Sequence, residues 1–227
     1  MKRSQINRLI DQTMAWLEQR QVVLPPFARW TPEEWAEKDH SYDEIRANML
    51  GWDVTDYGRG DFDRVGLLLF TIRNGNLQDS RYAKPYAEKL LVSREGQLSP
   101  NHFHWHKMED IINRVGNDIE FTLYNADKET EQLADTDVEI CQDGRRYTMP
   151  AGTKVILHPG ESLTLYPYLY HEFVIPEGGP VLIGEVSMCN DDNTDNRFLN
   201  PLGRFPTIEE DEAPYRLLCN EYPPAKD

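Results

Sequence analysis

The chain has 227 residues, of which 39% are hydrophobic and 11% aromatic, so one large domain with a substantial core is within reach. A formal net charge of −15 argues against a nucleic-acid backbone or an anionic lipid surface as a partner, because both require a basic face. No apolar run approaches the ~20 residues of a membrane span, and the N-terminus lacks the unbroken apolar stretch of a signal peptide. The three cysteines, Cys141, Cys189 and Cys219, are too few and too scattered for a disulfide framework, so the expectation is a cytoplasmic protein with free thiols.

In chain order, Ile6, Leu9, Ile10, Met14 and Leu17 recur at spacings of three and four, which predicts an amphipathic helix over 2–21 that Pro25-Pro26 stops. Thr31-Pro32-Glu33-Glu34 has the form of a helix start, with a capping threonine and proline at the first helical position. A third helix is expected through Tyr42–Leu50, ending at Gly51. Residues 1–51 therefore read as a helical extension with a face to bury against residues 52–190.

Beyond Gly51 the period changes. Gly58 and Gly60 punctuate a polar loop, and Val65–Ile72 (VGLLLFTI) is an apolar run of strand length. Ala87–Val92 (AEKLLV) reads as a strand carrying Lys89, and Ser93–Pro100 turns the chain into a histidine-rich strand. Further strands are expected at Asp118–Tyr124, Asp137–Ile140, Arg145–Met149, Lys154–His158, Ser162–Leu165, Tyr170–Ile175 and Val181–Met188, separated by turn residues such as Asp143-Gly144 and Pro159-Gly160. Many short strands with few helices predict a mainly β protein, an antiparallel sandwich or jelly-roll barrel. The polar segment 191–227 is expected to wrap the barrel.

The chemistry concentrates in Gly96–Gly116, GQLSPNHFHWHKMEDIINRVG. His102, His104 and His106 occupy every second position and Glu109 follows. On a strand, alternate side chains share a face, so two of these imidazoles can reach one ion while Phe103 and Trp105 point the other way. Imidazole with carboxylate suits a divalent transition metal. A further ligand should come from another strand. His40 lies in the helical part and His158 at a turn, whereas His171 opens an apolar strand and could enter the barrel.

The order Gly96-x5-His102-x-His104-x4-Glu109-x6-Gly116 resembles the complete first motif of the cupin superfamily, and this resemblance selects His102 and His104, rather than His106, as paired ligands. Gly160, Pro167 and His171 resemble part of the second motif, with the proline one residue closer to the histidine than usual, the intervening glycine missing and no asparagine following. Within cupins the chain looks like the D-lyxose ketol-isomerase family, through Glu88–Val92 leading into Ser99-Pro100-x-His102-x-His104, then Glu109 with Gly116, and Gly184-Glu185-Val186-Ser187 before an Asp/Asn/Thr-rich loop. The resemblance implies a jelly-roll barrel with an N-terminal helical extension, a homodimer, and a manganese-dependent aldose–ketose isomerase acting on D-lyxose/D-xylulose and often on D-mannose/D-fructose, with His102, His104, Glu109 and His171 as metal ligands.

Such a reaction needs a general base near the metal. Lys89 and Glu185 are ionisable residues inside otherwise apolar strands, where an unpaired charge is costly, so each either serves the reaction, faces outward, or pairs with the other. Glu185 is assigned as the base and Lys89 as the group that stabilises or protonates the sugar oxygens, with the reverse assignment open. Tyr166, Tyr168, Asp191, Asp192, Arg197 and Arg216 are candidates for binding sugar hydroxyls, Asp191 and Arg216 being carried forward with Lys89. Three other readings use the same barrel: an iron-dependent dioxygenase, a non-catalytic sugar-binding cupin, and a phosphosugar isomerase, which the acidic charge disfavours.

Overall fold

Strands dominate the computed structural model, which describes residues 1–227. The helical part comes first: α1 (Arg3–Glu18), α2 (Pro32–Ala36) and α3 (Asp43–Ala47). The expected capping box forms at α2, where Thr31 Oγ1 accepts from Glu34 N at 3.3 Å and Glu34 Oε2 accepts from Thr31 N at 2.8 Å. α3 is shorter than the sequence predicts, because Met49 turns left-handed (φ 51°) and the chain enters a strand at Gly51. Gly51 is required there: its φ is 112°, and a Cβ would meet the Tyr222 hydroxyl oxygen at 2.0 Å.

Thirteen strands follow: β1 (Gly51–Thr55), β2 (Leu67–Arg73), β3 (Tyr86–Ser93), β4 (Leu98–Phe103), β5 (Glu109–Gly116), β6 (Ile119–Asn125), β7 (Val138–Gln142), β8 (Arg145–Met149), β9 (Lys154–Leu157), β10 (Ser162–Leu165), β11 (Leu169–Val174), β12 (Val181–Met188) and β13 (Arg197–Phe198). An eight-stranded antiparallel sheet runs β1-β2-β3-β12-β5-β10-β7-β8, and a five-stranded one runs β13-β4-β11-β6-β9. Every expected strand is present. Three were not foreseen: β1, read as loop; β5, hidden behind the histidines; and the two-residue β13 in the wrapping segment.

Two cores explain the sequence pattern. Leu67, Leu69, Leu91, Ile111, Phe121, Leu123, Phe173 and Ile183 pack between the two sheets. On the outer face of the larger sheet, Leu68, Phe70, Val92 and Leu182 pack with Ile6, Leu9, Ile10 and Leu17 of α1. β2 is buried on both faces, which is why it reads as an unbroken apolar run rather than an alternating one. The helical stripe predicted at the N-terminus is thus the lid of this second core.

Strand register then assembles the polar residues. Lys89 lies opposite Glu185 in the β3–β12 pair, and His102 lies opposite His171 in the β4–β11 pair. Glu109 opens β5 and pairs with Ser187 of β12. Residues distant in sequence therefore converge at one end of the barrel interior.

Candidate active site

His102 ends on β4, and the strand stops at Phe103, so His104 stands at the start of the loop that leads to β5. His102, His104 and His171 present ring nitrogens within 4.8 Å of one another. Glu109 Oε1 lies 3.4 Å from His104 Nε2 and 3.5 Å from His171 Nε2. His106 is exposed and takes no part, and His40 and His158 are exposed partners of Asp43 and Asp118. Phe103, as the alternation requires, faces away and packs with Tyr170 and Ala126.

The backbone fixes how each imidazole is protonated. His102 Nδ1 lies 2.8 Å from the Pro100 carbonyl oxygen, His104 Nδ1 2.6 Å from that of Asp195, and His171 Nδ1 2.9 Å from that of Leu169. A carbonyl only accepts, so each ring carries its proton on Nδ1 and offers a bare lone pair at Nε2. His104 Nε2 is buried with no hydrogen-bond partner, and the nearest oxygen, on Glu109, is itself an acceptor. Converging lone pairs that cannot satisfy one another fit a bound cation, and these four residues are the ones that would hold it.

Burial, followed by the neighbouring imidazoles His171 and His104, pushes His102 well below its ordinary value. Burial also lowers His171, to about 4, with Glu109 opposing the shift. Both rings thus stay neutral and ready to ligate across the physiological range. For the carboxylate the balance is opposite: burial alone would raise Glu109, but Lys107 and the imidazoles outweigh it and hold it well below the usual carboxylate range.

The depressed imidazoles carry a stability consequence for metal-stripped protein. Below the ordinary value of 6.5 the unfolded chain takes up a proton that folded His171 refuses down to about 4, so acidification through that window opposes folding. By pH 5 the His171 contribution amounts to about 2 kcal/mol. Urea titrations of stripped wild type and of His171→Gln at pH 7 and pH 5 isolate it: wild type should lose about 2 kcal/mol more than the variant. Equal losses would contradict the assignment of a neutral, buried ring.

The remaining charges form a connected network in the same cavity. Glu185 Oε1 is 3.2 Å from both Lys89 Nζ and Lys107 Nζ, and Lys107 Nζ is 2.7 Å from Glu109 Oε2. Lys89 also donates to Asn190 Oδ1 at 2.8 Å and lies 3.8 Å from Asp192 Oδ2. Arg204 Nη2 joins Asp192 at 3.1 Å and Asp53 at 2.5 Å. Burial would lower Lys107, but Glu109, Glu185 and Asp192 outweigh it and raise it above the ordinary lysine value. Burial would likewise raise Asp192, yet Lys89, Arg204 and Lys107 hold it well below the carboxylate range. Three cations here face four carboxylates, an excess of negative charge that a divalent ion would reverse.

Of the sugar-binding candidates, the structure brings Lys89 and Asp192 to this cavity, together with Tyr57, Asn196, Phe198 and Arg204. Asp191 and Arg216 do not line it. Asp191 accepts from Asn193 N at 3.0 Å and Thr194 Oγ1 at 2.6 Å in its own turn, facing the neighbouring hollow instead. Arg216 lies in the C-terminal segment and donates to the Tyr215 carbonyl at 2.7 Å. Tyr168 stacks on Phe103, and Arg197 pairs with Glu131. Lys107 and Arg204 were not foreseen. Lys107 had one available signal: it stands two residues before Glu109, the spacing that puts two side chains on one face of an extended chain.

Comparison with known proteins finds sugar isomerases similar to this chain. A D-lyxose/D-mannose isomerase of Serratia proteamaculans is 50% identical over 224 residues, 98% of either chain. One from Escherichia coli O157:H7 is 48% identical over the same share. Among solved structures, a mutant L-ribose isomerase of Acinetobacter sp. DL28 in complex with L-ribose superposes with a TM-score of 0.62 over 92% of this chain and 98% of its own, at 14% identity, a likeness of fold. That of Geodermatophilus obscurus gives 0.61 at 13% identity over the same shares. The family model for D-lyxose isomerase matches residues 1–222, and with these relatives it establishes that the chain belongs to the D-lyxose isomerase family.

Proposed function

We propose that this aldose–ketose isomerase interconverts D-lyxose with D-xylulose and D-mannose with D-fructose, as a cytoplasmic homodimer whose His102, His104, Glu109 and His171 hold one manganese ion. The observation that carries the reading is Lys107, which bridges Glu109 of the ligand set (2.7 Å) and Glu185 (3.2 Å) inside one buried cavity. The proton-transfer group and the ligand set therefore share one enclosed space.

When bound, the divalent cation supplies Lewis acidity toward the sugar carbonyl and its neighbouring hydroxyl. The protein's own groups do the rest. Glu185 takes the proton from C2 of the aldose, exchanges it with solvent and delivers a proton to C1, while a proton moves from O2 to O1, so no atom is gained or lost overall. Lys89 and Lys107, both buried, face the oxygens on which negative charge grows, where that attraction is less screened than in water. Asp192 and Arg204, at the other end of the network, hydrogen-bond hydroxyls further along the sugar. Manganese suits the oxygen-rich substrate.

A direct test incubates the manganese-loaded protein with a panel of aldoses in D2O. Ketose should form from D-lyxose and D-mannose with deuterium at C1. Ketose without deuterium would replace the Glu185 step with a hydride shift between C1 and C2, and no ketose from any aldose would overturn the substrate assignment.

A further inference from the structure

One buried carboxylate outside the proposed ligand set binds the loop between β4 and β5. Between β4 and β5 the chain leaves the sheet for residues 104–108, a segment that carries both His104 and Lys107. Its backbone amides have no strand to pair with. Three of them converge on a single carboxylate: Asp195 Oδ1 accepts from Trp105 N at 2.9 Å and His106 N at 3.0 Å, and Oδ2 accepts from Lys107 N at 2.9 Å. The main-chain oxygen of the same residue accepts a hydrogen bond from His104 Nδ1 at 2.6 Å. Asp195 is itself buried, 8% exposed, and its own amide is tied to the Asp191 carbonyl at 3.0 Å.

We infer that Asp195 is the positioning residue of the metal loop, acting through the 105–107 amides on Lys107 and through its carbonyl on His104. Removing the carboxylate leaves three amides without acceptors, and the loop must then rearrange to find others. Such a rearrangement moves the Lys107 ammonium and frees the His104 ring to rotate or change tautomer. Substitution of groups that orient a ligating histidine typically weakens metal binding about 10–100-fold. Asp195 also lies between Asp192 and Arg204 in sequence, so the segment that faces the sugar is the one that orients the metal loop.

This inference rests on the metal-dependent reading of the site, and its test does not depend on turnover. Full-length wild type, Asp195→Ala and Asp195→Asn are stripped with a chelator and titrated with Mn2+ alone, by calorimetry and by the electron paramagnetic resonance of the bound ion, with urea midpoints of the stripped proteins measured in parallel. Asp195→Ala should bind Mn2+ about 10–100-fold more weakly, with an altered resonance of the ion that remains bound. Asp195→Asn keeps one acceptor oxygen and should lose less, a partial rescue that carries the test should the alanine variant fail to fold. Thr194→Ala, which removes the exposed hydroxyl bond to Asp191, should bind as wild type does. Unchanged affinity in both Asp195 variants, with only the urea midpoint lowered, would overturn the proposal, as would an equal loss in Thr194→Ala. Absence of isomerisation by wild type would instead count against the proposed reaction and leave the Mn2+ titration standing as its own result.

Discussion

Replacing Glu185 by glutamine is expected to lower kcat for D-lyxose about 10²–10⁴-fold, the usual worth of a positioned acid–base group, while the protein still binds Mn2+ with near-native affinity. The substitution is nearly isosteric, so the cavity keeps its shape. It removes the oxygen proposed to take the carbon-bound proton. Both lysines retain other partners: Lys107 keeps Glu109 at 2.7 Å, and Lys89 keeps Asn190 at 2.8 Å and Asp192 at 3.8 Å. No buried ammonium is stranded, so a loss of turnover will not be a loss of fold. The atoms of His102, His104, His171 and Glu109 proposed to hold the ion are untouched, which is why metal affinity separates this variant from variants at those four positions. Turnover within a factor of a few of wild type would eliminate Glu185 as the base.

His104→Ala should lose metal and activity together. The His104 ring has the one buried Nε2 left without a partner, and Nδ1 is committed to the Asp195 carbonyl, so no group of the protein answers that lone pair and a cation would. Because the ion binds only the folded chain, its loss is also measurable as stability. At free metal a hundredfold above Kd, wild type should gain about 2.7 kcal/mol against urea, and His104→Ala should gain almost none under the same conditions. A variant that retained both the metal-dependent gain and turnover would show that the ion sits elsewhere.

How much of this was legible beforehand follows from what strand periodicity can and cannot carry. The alternation of His102 and His104 on one face, with Phe103 turned outward, is a local property of an extended chain, and it is present as expected. His171, Lys89 and Glu185 came from a weaker signal, a polar residue in an apolar run, and register makes them neighbours in fact: Lys89 lies opposite Glu185 and His171 opposite His102. The pairing of Lys89 with Glu185, which counted against a functional role for either, coexists with their facing the ligand set through Lys107.

The rest depends on where loops land, which no period encodes. Lys107 follows the histidines in a polar stretch that no period marks; Asp195, far along the chain, accepts from its amide, and Glu109 and Glu185 hold its ammonium. In the Asp/Asn/Thr-rich segment the sequence does not say which acid turns inward, and it is Asp192, held by Lys89 and Arg204, while Asp191 closes its own turn. Arg204 and Arg216 are equivalent on paper; the former is drawn to the cavity by Asp53 of β1. β1 reads as loop in the sequence because Gly51, Gly58 and Gly60 punctuate a polar stretch, whereas in the structure its Asp53 is buried. It is the local rule that fails where the active site draws on the strand.

The most direct measurement is a titration of Mn2+ into chelator-stripped wild-type protein, following conversion of D-lyxose to D-xylulose. The stripped enzyme should be inactive, with turnover rising linearly to a plateau at one ion per chain. Full turnover without metal would contradict the account at its centre.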